Sequence, residues 1–267
     1  MLFGLEEKIK DFKKLIKEDK LRQSYLFFGE PQIGKFSFAS SLINFLENKE
    51  FIPPEGRRPL MDAEIFLPDR QAGSPDESGS IGIDAIRRLK KFLYQRPVVS
   101  SRRSAIFDSA ESLTPEAQNA FLKIAEEPPH SSLIIFIARE TSVFPATLVS
   151  RFVKVYFPRL SQKSIEKYLK DDLGVDSAKA GLIAKQSFGR IGRAIEIMKP
   201  EARSPKRETL KDDNLGEYLE GLILSLRKDL PKNSSKLNWL LKREELIKRN
   251  NLNPKLQLKA INQFLRS

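Results

Sequence analysis

The chain has 267 residues, of which 47 are Lys or Arg and 35 are Asp or Glu, and its formal net charge is +12. It has no cysteine and a single histidine, which excludes disulfides, thiolate nucleophiles and metal sites built from Cys or His clusters. The positive charge favours anionic partners such as nucleic acid or nucleotides. No apolar run approaches the roughly 18–20 residues of a membrane span and no signal peptide is visible, so we expect no membrane partner and a cytoplasmic location.

Strand and helix patterns alternate along the first 158 residues. In chain order we predict a helix at 5–18, a strand at 24–29, a helix from 35 to about 46, a loop-rich stretch at 52–80 with a short strand near 63–67, a helix at 83–94, a strand at 104–108, a helix starting at 114–116, and strands at 132–138 and 152–157. Strands that alternate with helices in this way predict an α/β domain, with a parallel sheet and helices on both faces, over residues 1–158.

The pattern changes after Pro158. Short helices are predicted at 161–172, 176–186 and 190–198 with no strand between them, which indicates a small helical domain at 159–205. A polar linker, Lys199–Asp213, precedes a helical stretch from Leu215 to the end, which we assign to a third domain at 206–267. Within that stretch, Trp239 lies among leucines and is expected to pack in the core of the domain rather than stack on nucleic-acid bases.

The first predicted strand runs into a glycine-rich loop, Gly29-Glu-Pro-Gln-Ile-Gly34-Lys35-Phe36, and a helix follows. The two glycines and the lysine match the phosphate-binding pattern G-x-x-x-x-G-K-[ST], in which backbone N–H groups wrap a phosphate and the lysine supplies a positive charge. A tight turn that simply feeds a helix is the alternative interpretation. The strand–loop–helix context favours the phosphate loop.

Phe36 stands where this pattern requires Ser or Thr. That hydroxyl coordinates magnesium between the terminal phosphates, and a phenylalanine cannot do so. Ser37 lies one residue later, about 100° around the helix, and is a poor substitute. ATP and magnesium therefore remain possible ligands of a degraded site, and no cofactor is assigned with certainty.

A second acidic motif follows the strand predicted at 104–108. Asp108 matches the acid that holds magnesium or its water shell, although it could also simply cap a strand. Active versions of the motif carry a second acid next to it, which activates the attacking water. Here that position is Ser109, which is not basic enough at neutral pH to act as a general base. Hydrolysis of ATP by this chain alone is therefore not expected.

Three segments carry a resemblance to a known family. Asp108–Pro129 resembles the signature A-x-x-L-T-x-E-A-x-N-A-L-L-K-x-L-E-E-P-P of bacterial clamp-loader subunits. Thr147–Phe152 resembles their T-I-R-S-R-C stretch, with Phe152 in place of the cysteine, and Asn253–Leu258 resembles their N-P-K-L-x-L segment. The likeness extends from the first residue to the C-terminus, and the sequence is similar to the clamp-loader subunits of DNA polymerase III.

The resemblance implies a RecA-like AAA+ domain, a small helical lid domain and a C-terminal helical collar through which subunits associate. It implies a protein that helps to load a sliding clamp onto primed DNA, with other subunits (gamma/tau and delta) as partners. Among the subunit types, delta-prime is the better match, because gamma/tau subunits keep the hydroxyl and a zinc-binding cysteine set. A gamma/tau-like subunit that hydrolyses ATP itself is the alternative.

The family also implies roles for two arginines. Arg151 matches an arginine finger that acts in trans, reaching the γ-phosphate bound by the neighbouring subunit. Arg193 matches a lid arginine that senses nucleotide, although Arg190 is a rival, and either arginine could instead be structural. The nucleotide-binding set is then Gly29, Gly34, Lys35, Asp108 and Arg193, with no metal ligand assigned. The sensor threonine of the family is absent around Ala138-Arg139.

Two further functions are weighed against the clamp-loader subunit. A self-sufficient ATPase or nucleotide kinase would need a hydroxyl for the metal and a catalytic acid, and neither stands in register. A sequence-specific DNA-binding protein lacks any recognition-helix or zinc signature and would rest on charge alone. The basic clusters at 87–91 and at Arg102-Arg103, and the single histidine, His130, are expected to be solvated surface.

Overall fold

The computed structural model describes residues 2–54, 60–69 and 79–198, together with residues 223, 234, 236–243, 261 and 264. The chain divides into two compact units, Met1–Pro200 and Glu201–Ser267. The linker predicted at 199–213, the segment Asn253–Leu258 and parts of the loop predicted at 52–80 lie outside the described residues.

The first unit follows the predicted alternation of strands and helices. Its elements are α1 (Glu6–Lys17), β1 (Ser24–Phe28), α2 (Lys35–Asn48), β2 (Ala63–Phe66), α3 (Ile83–Leu93), β3 (Arg103–Phe107), α4 (Pro115–Glu126), β4 (Ser132–Ala138), α5 (Ala146–Val149), β5 (Val153–Tyr156), α6 (Gln162–Asp171), α7 (Ser177–Ser187) and α8 (Ile191–Met198). Asp108 follows β3 directly, and a single 3₁₀ turn, Ala110–Ser112, separates β3 from α4.

The five strands form one parallel sheet in the order β2-β3-β4-β1-β5. β4 lies in the middle, and all seven of its residues are buried. Such a continuous apolar run is typical of a parallel strand covered on both faces. The predicted α/β class, with helices on both faces of a parallel sheet, is confirmed.

Alternate residues of the strands point to opposite faces, and each face packs against its own pair of helices. On one face Leu133, Ile135 and Ile137 of β4 pack in a cluster with residues of α1 and α2. On the other face Ile134 and Phe136 pack in a cluster with residues of α3 and α4. This arrangement leaves the carboxyl ends of the strands open, which is where the phosphate loop begins.

The start of α4 is as predicted. The hydroxyl of Thr114 accepts a hydrogen bond from the N–H of Ala117 at 3.2 Å, and Pro115 occupies the first helical position. Both features suit a helix start, because the first N–H groups of a helix have no partner inside it. Thr114 accepts a hydrogen bond from one of them, and Pro115 has no N–H group that would need a partner. α5, only four residues long, was not predicted.

Helices α6, α7 and α8 pack around a small core of their own. This core comprises Ile165, Leu169, Ala180, Ala184 and Ala194. The three helices occur at the positions predicted for them, and no strand lies between them.

The prediction that Arg103 is solvated is wrong. Its side chain is only 10 % exposed, and its guanidinium lies 5.0 Å from the centre of the Phe92 ring. It donates to the carbonyl of Arg96 at 3.0 Å and lies 3.4 Å from Asp62 Oδ1. The neighbouring guanidinium of Arg102 donates to the carbonyl of Leu21 at 2.8 Å. Main-chain carbonyls and a buried carboxylate thus replace the water expected around this pair.

Asp62 is fully buried and organises the loop between α3 and β3. Its carboxylate accepts hydrogen bonds of 2.7–2.9 Å from the N–H groups of Val98, Val99 and Ser100. Burial opposes ionisation, but these N–H groups and the charge of Arg103 outweigh it and hold the pKa of Asp62 below its usual value. The ionised carboxylate therefore stabilises the folded chain.

Of the second unit, the described positions are helical and partly buried. Ile223, Leu237, Leu240 and Ile261 are buried, and the Trp239 ring stacks on Phe264 with centroids 4.1 Å apart. Trp239 packs within its own unit, as predicted. Across the part of the chain that the structure describes, no helix combines the length and the apolar character that crossing a membrane requires.

Replacing Asp62 should lower stability in a pH-dependent way. We expect Asp62→Asn to reduce the free energy of unfolding at pH 7 by about 2 kcal/mol, because a neutral amide is a weaker acceptor for three N–H groups and Arg103. The native pKa of Asp62 is depressed, so its contribution is full above the unfolded-state value of about 4 and disappears as pH falls through the native pKa. Urea unfolding of both proteins should show their difference shrinking on acidification.

The control for this experiment is Asp84→Asn. Asp84 is exposed on α3 and pairs with Arg87 at 2.8 Å, a surface ion pair of small expected value. Equal unfolding free energies of the Asp62→Asn and native proteins at pH 7 would contradict the role assigned to the buried carboxylate.

Candidate functional site

The loop between β1 and α2 has the backbone that the two glycines predict. Gly29 has φ +137°, and a Cβ atom there would lie 2.3 Å from the carbonyl oxygen of Phe157. Gly34 has φ +96° and is the N-cap of α2. Both conformations disfavour residues with side chains, so the glycines are required by the turn itself.

Lys35 lies at the first turn of α2 with its side chain folded back onto the loop. Its ammonium donates to the carbonyl of Glu30 at 2.7 Å and to the carbonyl of Gly29. Burial lowers the pKa of Lys35 to about 8, and the negative charges of Glu111 and Asp108 oppose that shift. Near neutral pH the lysine is therefore mostly charged although burial disfavours that charge, so it can bind an anion.

Two carboxylates face this lysine. Burial raises the pKa of Asp108, while the Ser109 N–H, which donates to its Oδ1 at 3.1 Å, and the charge of Lys35 act in the opposite direction. The second carboxylate is Glu111, on the 3₁₀ turn after β3, with Oε1 3.9 Å from Arg139 Nε. Glu111 is not among the predicted site residues, because its approach to Lys35 depends on the 3₁₀ turn after β3, which no local pattern indicates.

Phe36 and Ser109 stand in this site as the sequence predicts. Phe36 follows Lys35 and is 37 % exposed, and its ring offers no ligand for a metal ion. Ser109 follows Asp108 with φ +56°, and its side chain carries no charge. The two glycines of the phosphate-binding pattern thus have backbone conformations that suit glycine, whereas positions 36 and 109 supply neither a metal-binding hydroxyl nor a second acid.

A cavity of about 410 Å³ lies beside the loop, large enough for a small ligand. Its lining combines Lys35, Phe36, Asp108 and Glu111 with residues of α8. A larger open groove of about 1160 Å³ borders α1 and β5, but none of the residues from Gly29 to Ser37 lines it. The smaller cavity is therefore the candidate site.

Helix α8 contacts the phosphate loop directly at Gln32. The N–H of Gly192 donates to the carbonyl of Gln32 at 2.8 Å, and the amide of Gln32 donates to Glu196 at 2.9 Å. Arg159, just before α6, donates to Glu30 of the same loop at 2.6 Å. Burial raises the pKa of Glu30, but the hydrogen bond from Arg159 and the charges of Arg190 and Arg139 outweigh burial and lower that pKa.

The structure does not bring Arg193 to the cavity lining. Its guanidinium lies 5.1 Å from the centre of the Phe188 ring, whereas Ile191, Gly192 and Ile195 supply the contribution of α8 to the cavity. The rival, Arg190, is buried, and its charge acts on Glu30 of the phosphate loop. Of the two arginines, Arg190 is the one whose charge lowers the pKa of Glu30 in the loop.

Arg151 lies apart from this cavity, between α5 and β5. Its guanidinium donates to Glu126 Oε1 at 2.6 Å and to the carbonyl of Thr147 in α5. β5 runs parallel to β1, with Val153 opposite Tyr25. Arg151 precedes the amino end of β5, whereas the phosphate loop follows the carboxyl end of β1, so the two lie at opposite ends of the strands. Given a rise of about 3.3 Å per residue, roughly 15–20 Å of strand separates them.

Comparison with known proteins supports one family. The sequence model described as DNA polymerase III, delta subunit, matches residues 4–161, more than half of the chain. The gamma/tau subunit of DNA polymerase III from Mycoplasma pneumoniae is 27 % identical over 168 residues, which are 61 % of this chain and 24 % of that protein. Replication factor C subunit 3 from Saccharomyces cerevisiae is 24 % identical over 226 residues, which are 81 % of this chain and 61 % of that protein.

A solved structure agrees with the fold. The crystal structure of a DNA polymerase III gamma subunit-related protein from Thermotoga maritima aligns with a TM-score of 0.54 and 21 % identity, covering 94 % of this chain and 96 % of that one. The chain spans about a quarter of the length of the Mycoplasma relative. The RecA-like AAA+ sheet and the match over residues 4–161 lead to one conclusion: the chain belongs to the DNA polymerase III delta subunit family of clamp-loader AAA+ proteins.

Proposed function

We propose that this chain is a delta-prime-type subunit of a bacterial DNA polymerase III clamp loader. In this role it helps to load a sliding clamp onto primed DNA together with gamma/tau and delta subunits. It lends Arg151 to the ATP site of a neighbouring subunit and does not hydrolyse ATP itself. Its three parts are a RecA-like domain at 1–158, a lid at 159–205 and an oligomerising collar at 206–267.

The observation that carries this proposal is the phosphate loop. Gly29 and Gly34 have the left-handed conformations that favour glycine in this turn, yet Phe36 and Ser109 stand where hydrolysis needs a metal-binding hydroxyl and a second acid. A subunit that still hydrolysed ATP would have to place a metal-binding hydroxyl and a second acid there. A preserved fold with a degraded site favours a structural and regulatory subunit over an independent ATPase or nucleotide kinase.

The surroundings of Arg151 support action in trans. The guanidinium is held at the edge of the sheet opposite to its own phosphate loop, and its side chain is 30 % exposed. From there it can donate to oxygen atoms of another molecule that binds at this edge. A guanidinium that donates to γ-phosphate oxygens stabilises the charge that develops during phosphoryl transfer.

One observation favours the alternative, a gamma/tau-like subunit that hydrolyses its own ATP. Glu111 brings a carboxylate to the cavity that contains Lys35 and Asp108, so the site has a second acid although Ser109 is not one. Neither acid remedies the loss of the metal-binding hydroxyl at Phe36. The two experiments below separate the alternatives.

The isolated chain should turn over ATP no faster than its Lys35→Ala variant. The reason is the combined loss of the metal-binding hydroxyl and of the general base. Steady-state release of phosphate by both proteins, with magnesium present, makes the comparison. Turnover by the native chain clearly above that of Lys35→Ala would establish hydrolysis in this subunit and favour the gamma/tau-like alternative.

In a reconstituted clamp loader, Arg151→Ala should lower ATPase stimulated by DNA and clamp, while assembly stays intact. Trans-acting arginine fingers contribute about 10³–10⁵ in related systems, but we expect a fall of only about two- to tenfold because other subunits carry fingers of their own. The matched variant Lys35→Ala in this subunit should have little effect. If Lys35→Ala abolished most of the stimulated ATPase of the complex and Arg151→Ala did not lower it, the trans-acting role of Arg151 would be overturned.

A further inference from the structure

We propose that Glu126 is a positioning residue for Arg151. It holds the guanidinium in the orientation needed to bind the γ-phosphate of ATP in the site of a neighbouring subunit. The inference rests on the function proposed above and deepens it. Glu126 itself touches no nucleotide in this scheme. It acts through Arg151 alone.

The guanidinium of Arg151 is held at two points on two different elements. One terminal nitrogen donates to Glu126 Oε1, at the last residue of α4, over 2.6 Å, and the other donates to the carbonyl of Thr147 in α5. Two contacts from separate directions fix the plane of the group as well as its position. A planar fork fixed in this way is prepared for paired hydrogen bonds to oxygen atoms.

The position of Glu126 at the end of α4 is unfavourable for an acidic residue unless a positive charge compensates it. The carboxyl end of a helix carries partial negative charge, so an acidic residue at its last position is unfavourable by itself. The positive charge of Arg151, 25 residues later in the chain, offsets this repulsion. Glu126 is 54 % exposed, so the pair does not complete a buried core that would otherwise explain it.

The remaining donors of Arg151 are enough for its proposed task. A guanidinium has five N–H groups, and the two contacts use one on each terminal nitrogen. The others can bind phosphate oxygens while Glu126 and Thr147 keep the group in place. Donors that are oriented in advance stabilise developing charge without rearranging during the reaction.

The test uses the reconstituted clamp loader with Glu126→Gln in this subunit, a variant that keeps the shape of the side chain and removes its charge. We expect kcat of the ATPase stimulated by DNA and clamp to fall by about twofold, and by less than in Arg151→Ala, with KM for ATP nearly unchanged, since the finger acts on charge formed in the transition state. Glu127→Gln, at the adjacent exposed acid, is the matched control and should behave like the native complex.

The double variant Glu126→Gln/Arg151→Ala shows whether Glu126 acts through the finger. We expect it to have the same kcat as Arg151→Ala alone. Three results would each overturn the positioning role: an undiminished effect of Glu126→Gln in the Arg151→Ala background, an unchanged kcat in Glu126→Gln, or an increased kcat. The proposed function would still stand if Arg151→Ala lowers turnover. If Arg151→Ala has no effect, the finger role and the inference both fail.

Discussion

The close approach of Gly29 to Phe157 is the constraint on which the phosphate loop and the carboxyl edge of the sheet depend. The N–H of Gly29 donates to the carbonyl of Arg139 at 3.0 Å, which joins the loop to the end of β4. The N–H of Phe157 donates to Phe28 at 2.9 Å, which joins β5 to β1 beside it. Three neighbouring strands therefore end beside a residue that has no room for a side chain.

This constraint explains how the loop can keep its shape without the chemistry that usually accompanies it. Lys35 donates to carbonyls of the loop, and Gly34 starts α2 in a conformation suited to glycine. These residues support the fold whether or not a phosphate is bound. Phe36, by contrast, is exposed enough to be replaced without disturbing the loop, so the groups for hydrolysis can be lost while the architecture persists.

Most of the fold could be predicted from the sequence because its strands are short apolar runs and its helices carry clear start signals, such as Thr114 and Pro115. The turn at Gly29 and Gly34 could be predicted for the same reason, since its backbone conformation itself favours glycine at these positions. Contacts between distant segments could not. The burial of Arg103 depends on Asp62, 41 residues earlier, and the position of Glu111 depends on the turn that follows β3.

The same limit applies to the arginines. The sequence predicts Arg151 just before the strand at 152–157, but the contact with Glu126 spans 25 residues and leaves no local pattern. For the lid, the sequence left Arg190 and Arg193 as rivals, and only the packing of α8 separates them. Their roles, and the boundaries of the three domains, stay predictions.

The hydrogen bond from Gly192 to Gln32 ties the start of α8 to the phosphate loop. The N–H of Gly192 lies at the start of α8, where a helix has no internal acceptor for it, and the loop supplies the acceptor instead. Separation of α8 from the loop would leave this amide to solvent while the rest of α8 kept its hydrogen bonds. Hydrogen exchange at Gly192 would therefore report that separation apart from unfolding of the sheet.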